Sequence, residues 1–329
     1  KPLVNVFPHF ESFETGTGGW EAGGTNSTWV LGTPNKPGSI QGAAHGTQAW
    51  VNGGLTGQYL GQDQSYVEGP CYDLSIVPAT HQVALSYWRD SEQGWDGANL
   101  QYSIDGGATW NLLGNVGTGT NWYNGTVNAA PPGGFNQTWN GQGTAYVRAQ
   151  HPLPAALIGA FNVRFRVAFG SDFSVQDAGF AFDAFAIGEP TPFTLGPDTT
   201  VCGDYTINTN LPGGGMSDFA WSTGDSTNSI FMVNTGLTST TQTVILAYTN
   251  PEGFVSRDTA VITILPGPDQ VYFGDTISFC EGTTLVLQAD TSLLGNAVFT
   301  YNWSTGSTTF NTFVTTTQMV TGVATFPGG

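Results

Sequence analysis

Charge is what this 329-residue chain has least of, with only 9% of residues Asp, Glu, Lys or Arg. Basic residues number seven against 24 acidic ones, for a formal net charge of -17. A surface of that sign repels phosphate backbones and anionic headgroups, which excludes nucleic acid as a partner. No apolar run approaches the roughly 20 residues of a membrane-spanning helix. Three cysteines are too few, and odd in number, for a disulfide scaffold, and no Cys-x-x-Cys is present. The four histidines (His9, His45, His81, His151) are scattered, with neither His-Glu-x-x-His nor Gly-x-Ser-x-Gly among them. Zinc and nucleophilic chemistry therefore find no support, and no enzymatic activity is expected. Helices are missing too, since no window combines i, i+3, i+4 apolar spacing with caps. The opening Lys1-Pro-Leu-Val does not start a signal peptide, so the chain is expected to be cut from a longer one.

What the sequence has in quantity is glycine (46), proline (18) and small hydroxyl residues. This composition predicts an all-β protein of short strands and many turns. Eight of the ten tryptophans fall before residue 190. In that block Val83, Leu85 and Tyr87 alternate with polar or small residues, as do Phe161, Val163, Phe165, Val167 and Phe169 with Arg164 and Arg166. The run Gly179–Ile187 is apolar on both faces, as a central sandwich strand would be. Glu189-Pro-Thr-Pro192 then reads as a linker, because two prolines in four residues deny a sheet its donors.

A repeat occupies the remainder. Trp221-Ser-Thr-Gly224 recurs as Trp303-Ser-Thr-Gly306, each with an aromatic two residues upstream (Phe219, Tyr301), a strand-like run before it and a cysteine before that (Cys202, Cys280). The tryptophans stand 82 residues apart and the cysteines 78, the length of a small domain. The expected organisation is residues 1–190, a repeat at 191–267 and a second, incomplete repeat at 268–329.

Three local patterns carry chemistry. Ser103-Ile-Asp105-Gly-Gly107-Ala-Thr109-Trp110 fits the Asp-box, a hairpin device in which carboxylate and hydroxyls bond turn amides. Asp90-Ser-Glu92-Gln-Gly-Trp95-Asp96 sets three acids around an indole; a solvated loop, a cation site and a sugar platform at Glu92, Trp95 and Asp96 all fit, and nothing selects a glycosidase pair. Asp183, placed by strand alternation on the face of Phe185 and Ile187, must be bound to a metal or paired with Arg164 or Arg166.

Phe10-Glu-Ser-Phe13-Glu14-Thr-Gly, Gly69-Pro-Cys71-Tyr-Asp, the Asp-box and Ala181-Phe-Asp183 together resemble the MAM-like jelly-roll modules of secreted Bacteroidetes proteins, over almost all of residues 1–190. That resemblance implies a structural Ca2+ held by Glu14 and Asp183. Leu195-Gly-Pro-Asp-Thr-Thr-Val-Cys202 with the Trp-Ser-Thr-Gly turn resembles the Ig/PKD-like tandem repeats of Bacteroidetes surface adhesins and gliding-motility-associated proteins. It implies a jelly-roll β-sandwich followed by two Ig-like repeats, in a cell-surface protein exported by the type IX secretion machinery. Surface glycans, other surface proteins and further domains beyond Gly329 are its expected partners. Asp-Thr/Ser steps resemble the O-glycosylation sites of such proteins, at Thr199, Ser226, Thr259 and Thr276.

Overall fold

A computed structural model of the chain describes residues 1–202, 204–233, 239–265, 283–288, 300–316 and 318–325. The protein is all-β, its strands gathered into several sheets. No helix among the described residues is long and apolar enough to cross a membrane. Two compact units form. One holds Lys1–Thr191 with Pro212–Ser217 and Thr249–Ser256; the other holds Pro192–Leu211, Asp218–Tyr248 and Arg257–Gly329.

The first unit is a β-sandwich. Its seven-stranded sheet runs Gly125–Thr126, Gln137–Asn140, Gly97–Ser103, Arg164–Gly170, Gln64–Glu68, Glu21–Thr25, with Asn111–Leu112 added beside Gly97–Ser103. The six-stranded sheet runs Val147–Pro152, Gln82–Asp90, Gly179–Gly188, Ala49–Val51, Val30–Gly32, with His9–Glu11 also paired to Gly179–Gly188. Period-2 alternation sends Leu100, Phe165, Val167 and Phe169 from one sheet, and Val83 and Leu85 from the other, into one core. Arg164 and Arg166 are left on the outer face. The strand opens later than alternation alone predicts, because Phe161 is exposed in the bend before it.

In Gly179–Gly188 one local feature overrides alternation. The pairing with Gln82–Asp90 shifts register between Asp183 and Ala186, and Ala184 takes a positive φ of 52°. This bulge lets Phe180, Phe182, Phe185 and Ile187 all face the core. Asp183 consequently points to the opposite face from Phe185 and Ile187, which corrects the placement expected from a regular strand.

The Asp-box closes its hairpin as its pattern demands. Ser103 Oγ accepts from the Gly107 amide at 2.8 Å, and Asp105 accepts from the Thr109 amide and hydroxyl at 2.9 and 2.6 Å. These bonds hold the exposed Asp105 carboxyl well below the usual carboxylate range. Trp110 lies half-buried under the Arg166 guanidinium, 4.1 Å from its ring centre.

A four-stranded sheet, ordered Thr199–Cys202, Val255–Leu265, Thr240–Thr249, Asp218–Trp221, belongs to the second unit except for Thr249, Val255 and Ser256, and the pair Tyr205–Asn208 with Ser229–Met232 lies wholly within that unit. Trp221, Ile207, Ile230, Leu246 and Ile262 share its core. The repeated phrase builds one turn twice. Trp221 Nε1 donates to the Thr227 carbonyl at 2.8 Å, and Trp303 Nε1 to that of Thr309 at 2.9 Å. The Trp221 amide donates to Asp225 O and the Trp303 amide to Ser307 O. Both serines, Ser222 and Ser304, bond a neighbouring strand through amide and hydroxyl, at Ile245 and Thr321. Pairing of Leu285–Gln288 with Asn311–Val314 likewise matches that of Tyr205–Asn208 with Ser229–Met232. Trp221→Phe keeps most of the buried ring but strands the Thr227 carbonyl. It is expected to lower the unfolding free energy of this unit by about 1 kcal/mol in urea titrations followed at the second unit's transition.

Candidate cation and ligand site

The acidic loop after Gln82–Asp90 is shaped by its backbone. Amides of Trp95 and Asp96 both donate to Glu92 O, Gly94 adopts a φ of 79°, and Ser91 Oγ donates to Asp96 O at 3.0 Å. This tight turn keeps the Glu92 side chain on the same side as that of Asp96. Asp96 is fully buried; Tyr59 Oη donates to its Oδ2 at 2.7 Å, and the Asp172 amide to its Oδ1 at 2.9 Å. Asp172 follows Arg164–Gly170, and its Oδ1 accepts from the Ser174 amide and hydroxyl. Carboxylate oxygens of Glu92, Asp96 and Asp172 thereby come within 4.8 Å of one another.

Like charges fill the surroundings. Burial, with the charges of Asp172 and Glu92 adding to it, pushes the Asp96 carboxyl up to about 6. Burial likewise lifts Asp63 to about 6, with Asp96 contributing. Glu92 is raised by burial and then by Asp172 and Asp177, and Asp177 by burial and Asp90. Among the described residues no lysine, arginine or histidine forms an ion pair with Glu92, Asp96 or Asp172. The nearby Lys36 spends its buried ammonium on the Asn52 and Ala178 carbonyls, and Arg89 spends Nη1 on the Asn140 carbonyl.

Of the residues singled out in the sequence, Glu92, Trp95 and Asp96 therefore lie in one place, where Trp95 is 42% exposed. Asp172 is not legible in the sequence as their partner, because 76 residues separate it from Asp96 and only the pairing of Gly97–Ser103 with Arg164–Gly170 brings the two loops to one edge. The indole stands alone. Trp20, Trp29, Trp50, Trp122 and Trp139 are buried and Trp88 and Trp110 half-buried, so the tryptophans of this unit form no flat platform.

Glu14 and Asp183 meet at a different loop. Asp183, fully buried, accepts from the amides of His45 at 2.8 Å and Ala184 at 2.6 Å, and burial pushes its carboxyl up to about 7. Glu14 accepts from the amides of Thr47 and Gln48 and from the Thr47 hydroxyl. Both carboxylates fasten residues 44–48 to the sandwich. Neither of the two arginines expected as partners for Asp183 reaches it, since Arg164 pairs with Glu68 at 2.8 Å and Arg166 bonds Gln101.

Ser226 and Thr259 are exposed, and Thr199 is half-buried at a strand start; Thr276 and Cys280 lie outside the described residues. Cys71 is half-buried, and its thiol donates to Asn162 Oδ1 at 2.9 Å.

No family model matches the chain, and neither does any curated protein. Among solved structures it is similar to the glycoside hydrolase domain of Endo-D from Streptococcus pneumoniae R6, at 12% identity and a TM-score of 0.34, covering 74% of this chain and 36% of that one. It is also similar to the K1 cleaved adhesin domain of Lys-gingipain from Porphyromonas gingivalis W83 (16% identity, TM-score 0.32, 56% of this chain, all of that one). A third likeness is to the C-terminal family 22 carbohydrate binding module of Clostridium thermocellum Xyn10B (14% identity, TM-score 0.30, 55% of this chain and 92% of that one). Likenesses of this size carry no argument about what the chain does.

Proposed function

We propose that this chain is a non-catalytic adhesion or structural segment of a large secreted or cell-surface protein. Residues 1–190 serve as a jelly-roll head, and residues 191–267 and 268–329 as Ig/PKD-like repeats. The observation that carries the reading is the Trp-Ser-Thr-Gly turn, built in both copies from the same indole, amide and serine bonds. A unit that rebuilds its own turn can be copied in series, which suits a spacer. Surface glycans or surface proteins are the partners, and calcium at Glu14 and Asp183 belongs to the same reading.

The second reading, an accessory carbohydrate-binding module of a secreted hydrolase, rests on the one exposed indole, Trp95, which shares its loop with Glu92 and Gln93; those two line a polar groove together with Asn124 and Asp177. Probing a glycan array and a panel of immobilised surface proteins with residues 1–329, with calcium and with chelator, separates the two. Binding to surface proteins, or broad weak glycan binding, is expected. Selective binding to one plant or storage polysaccharide, lost in Trp95→Ala, would favour the accessory module. Release of reducing sugar from any of these glycans would overturn both.

A further inference from the structure

Gly170 pairs with Gln64, so loops 58–63 and 171–178 leave the seven-stranded sheet side by side. They are zipped together: the Gln62 amide donates to the Asp172 carbonyl, Ser171 Oγ to that of Leu60 at 2.8 Å, and Gln58 Nε2 to that of Gln176 at 2.6 Å. Phe173 is nevertheless 81% exposed, on a backbone held on either side of it by the Asp172 amide on Asp96 and the Ser174 amide on Asp172. An apolar ring fixed in water is preorganised for a partner. Residues 130–134 are fixed as firmly. The Pro132 carbonyl accepts from Gln101 Nε2 at 3.0 Å and from Asn99 Nδ2 at 3.4 Å, both from fully buried side chains, and the Ala130 carbonyl accepts from Gln64 Nε2 at 2.9 Å. Gly170 permits this approach, since a Cβ there would collide with the Ala130 oxygen.

An open groove of about 500 Å3, a size that suits a small ligand, lies between these walls and is lined by Gln62, Gln64, Ala130, Pro131, Asp172 and Phe173. Gln62 and Ala130 hold φ at 59° and 46°, a conformation that neither residue type favours, and strain of this kind gathers where ligands are gripped. The lining is amphipathic. Ala130, Pro131 and the Phe173 ring are apolar, whereas the Gln62 side-chain amide, Gln64 Oε1 and Asp172 Oδ2 bond no described residue. A pyranose matches both halves, because its C–H face packs on an aromatic ring while its hydroxyls donate and accept. Asp172 is the one charged side chain in the lining, and its carboxylate stands within 4.8 Å of those of Glu92 and Asp96, so sulfated, sialylated and uronic glycans are repelled. We propose that the groove between residues 171–173 and 130–134 binds a neutral glycan, with one pyranose stacked on Phe173 and its hydroxyls bonded to Gln62, Gln64 and Asp172. The inference rests on surface glycans being partners of the chain, and adds the place and the class.

The test sets neutral oligosaccharides (cello-, xylo-, manno-, laminari- and chitohexaose) beside sialyllactose, hyaluronan and oligogalacturonate on one array, with immobilised surface proteins alongside, and titrates each hit by calorimetry. Binding confined to neutral glycans is expected. Phe173→Ala should weaken it about tenfold, the worth of one ring contact. Phe173→Trp should retain it, and Gln62→Ala should weaken it less than Phe173→Ala does. All three should melt with the parent, because both side chains lie outside the core. Trp95→Ala should bind as the parent does. Glycan binding that is lost in Trp95→Ala and unchanged in Phe173→Ala would overturn this assignment while leaving glycans as partners; no binding to any glycan would overturn both. Preference for an anionic glycan, or capture of a surface protein through Phe173 with no glycan bound, would also overturn it.

Discussion

Trp139→Ala is expected to destabilise the first unit by about 4 kcal/mol, near the upper end of what emptying one buried aromatic position costs. Trp139 is fully buried on Gln137–Asn140, in the seven-stranded sheet, and its ring stacks on Tyr87 and Phe180 of the opposite sheet at centroid distances of 4.9 and 5.9 Å. Trp122 and Tyr123 pack edgewise on the same indole, at 5.1 and 4.8 Å. Removing it opens a cavity between the sheets, and these four rings cannot close over it because each is anchored by its own strand or loop. The Asn121 carbonyl, which accepts from the indole nitrogen at 3.2 Å and from Tyr87 Oη at 3.3 Å, also loses the first of these two donors. Calorimetry should show the unit's midpoint lower by about 10 °C. A change of under 2 °C would mean that this layer is not the joint between the sheets. Trp95→Ala is the control, since an exposed indole should cost almost nothing.

How far such contacts can be read from sequence depends on the range over which each is decided. The Asp-box, the Trp-Ser-Thr-Gly turns and the alternation of Phe165, Val167 and Phe169 are fixed within a few residues, and the fold follows them. The face of Asp183 departs from the sequence expectation because one residue of bulge, with Ala184 at positive φ, inverts the parity of everything beyond it. No residue type announces the bulge, since alanine has no preference for that conformation. Glu92, Trp95 and Asp96 are legible as a cluster because they share one loop. Asp172 and Asp63 are not, because their arrival is settled by sheet order, and sheet order is a property of the whole unit. For the same reason the tryptophans can be counted from the sequence but not sorted into core and surface.

In EDTA, acidification from pH 8 to pH 5 is expected to stabilise the first unit, by about 2 kcal/mol. Asp183 is the main source, its carboxyl pushed up to about 7 by burial although the amides of His45, Ala184 and Ala44 favour its ionised form. Glu14 faces it and adds repulsion, while Arg148, whose guanidinium is bonded to the Ala184, Glu252 and Gly253 carbonyls, offsets part of this. Tyr146 stands near with its own proton held tightly by burial. Asp63 and Asp96, each raised to about 6 by burial, act in the same direction, whereas His9, lowered to about 4, and His151, also lowered, oppose them, because burial denies the folded imidazoles a proton that the unfolded ones take up near 6.5. Unfolded, these carboxyls ionise near 4, so between about 4 and 7 the folded state holds more protons than the unfolded one. That stabilisation is complete below the lower limit and disappears as pH rises through the upper. Below about pH 4 the trend reverses, because Glu14, Asp105 and Asp258 are held below the usual carboxylate range by hydrogen bonds that protonation breaks. The unfolding free energy in urea should therefore peak between about pH 4 and 5. Asp183→Asn should flatten the slope between pH 5 and 8 whatever it does to absolute stability, because asparagine cannot titrate. A slope in the variant equal to that of the parent would show that Asp183 is ionised in the fold at neutral pH, and that its buried charge is balanced by something other than Arg148.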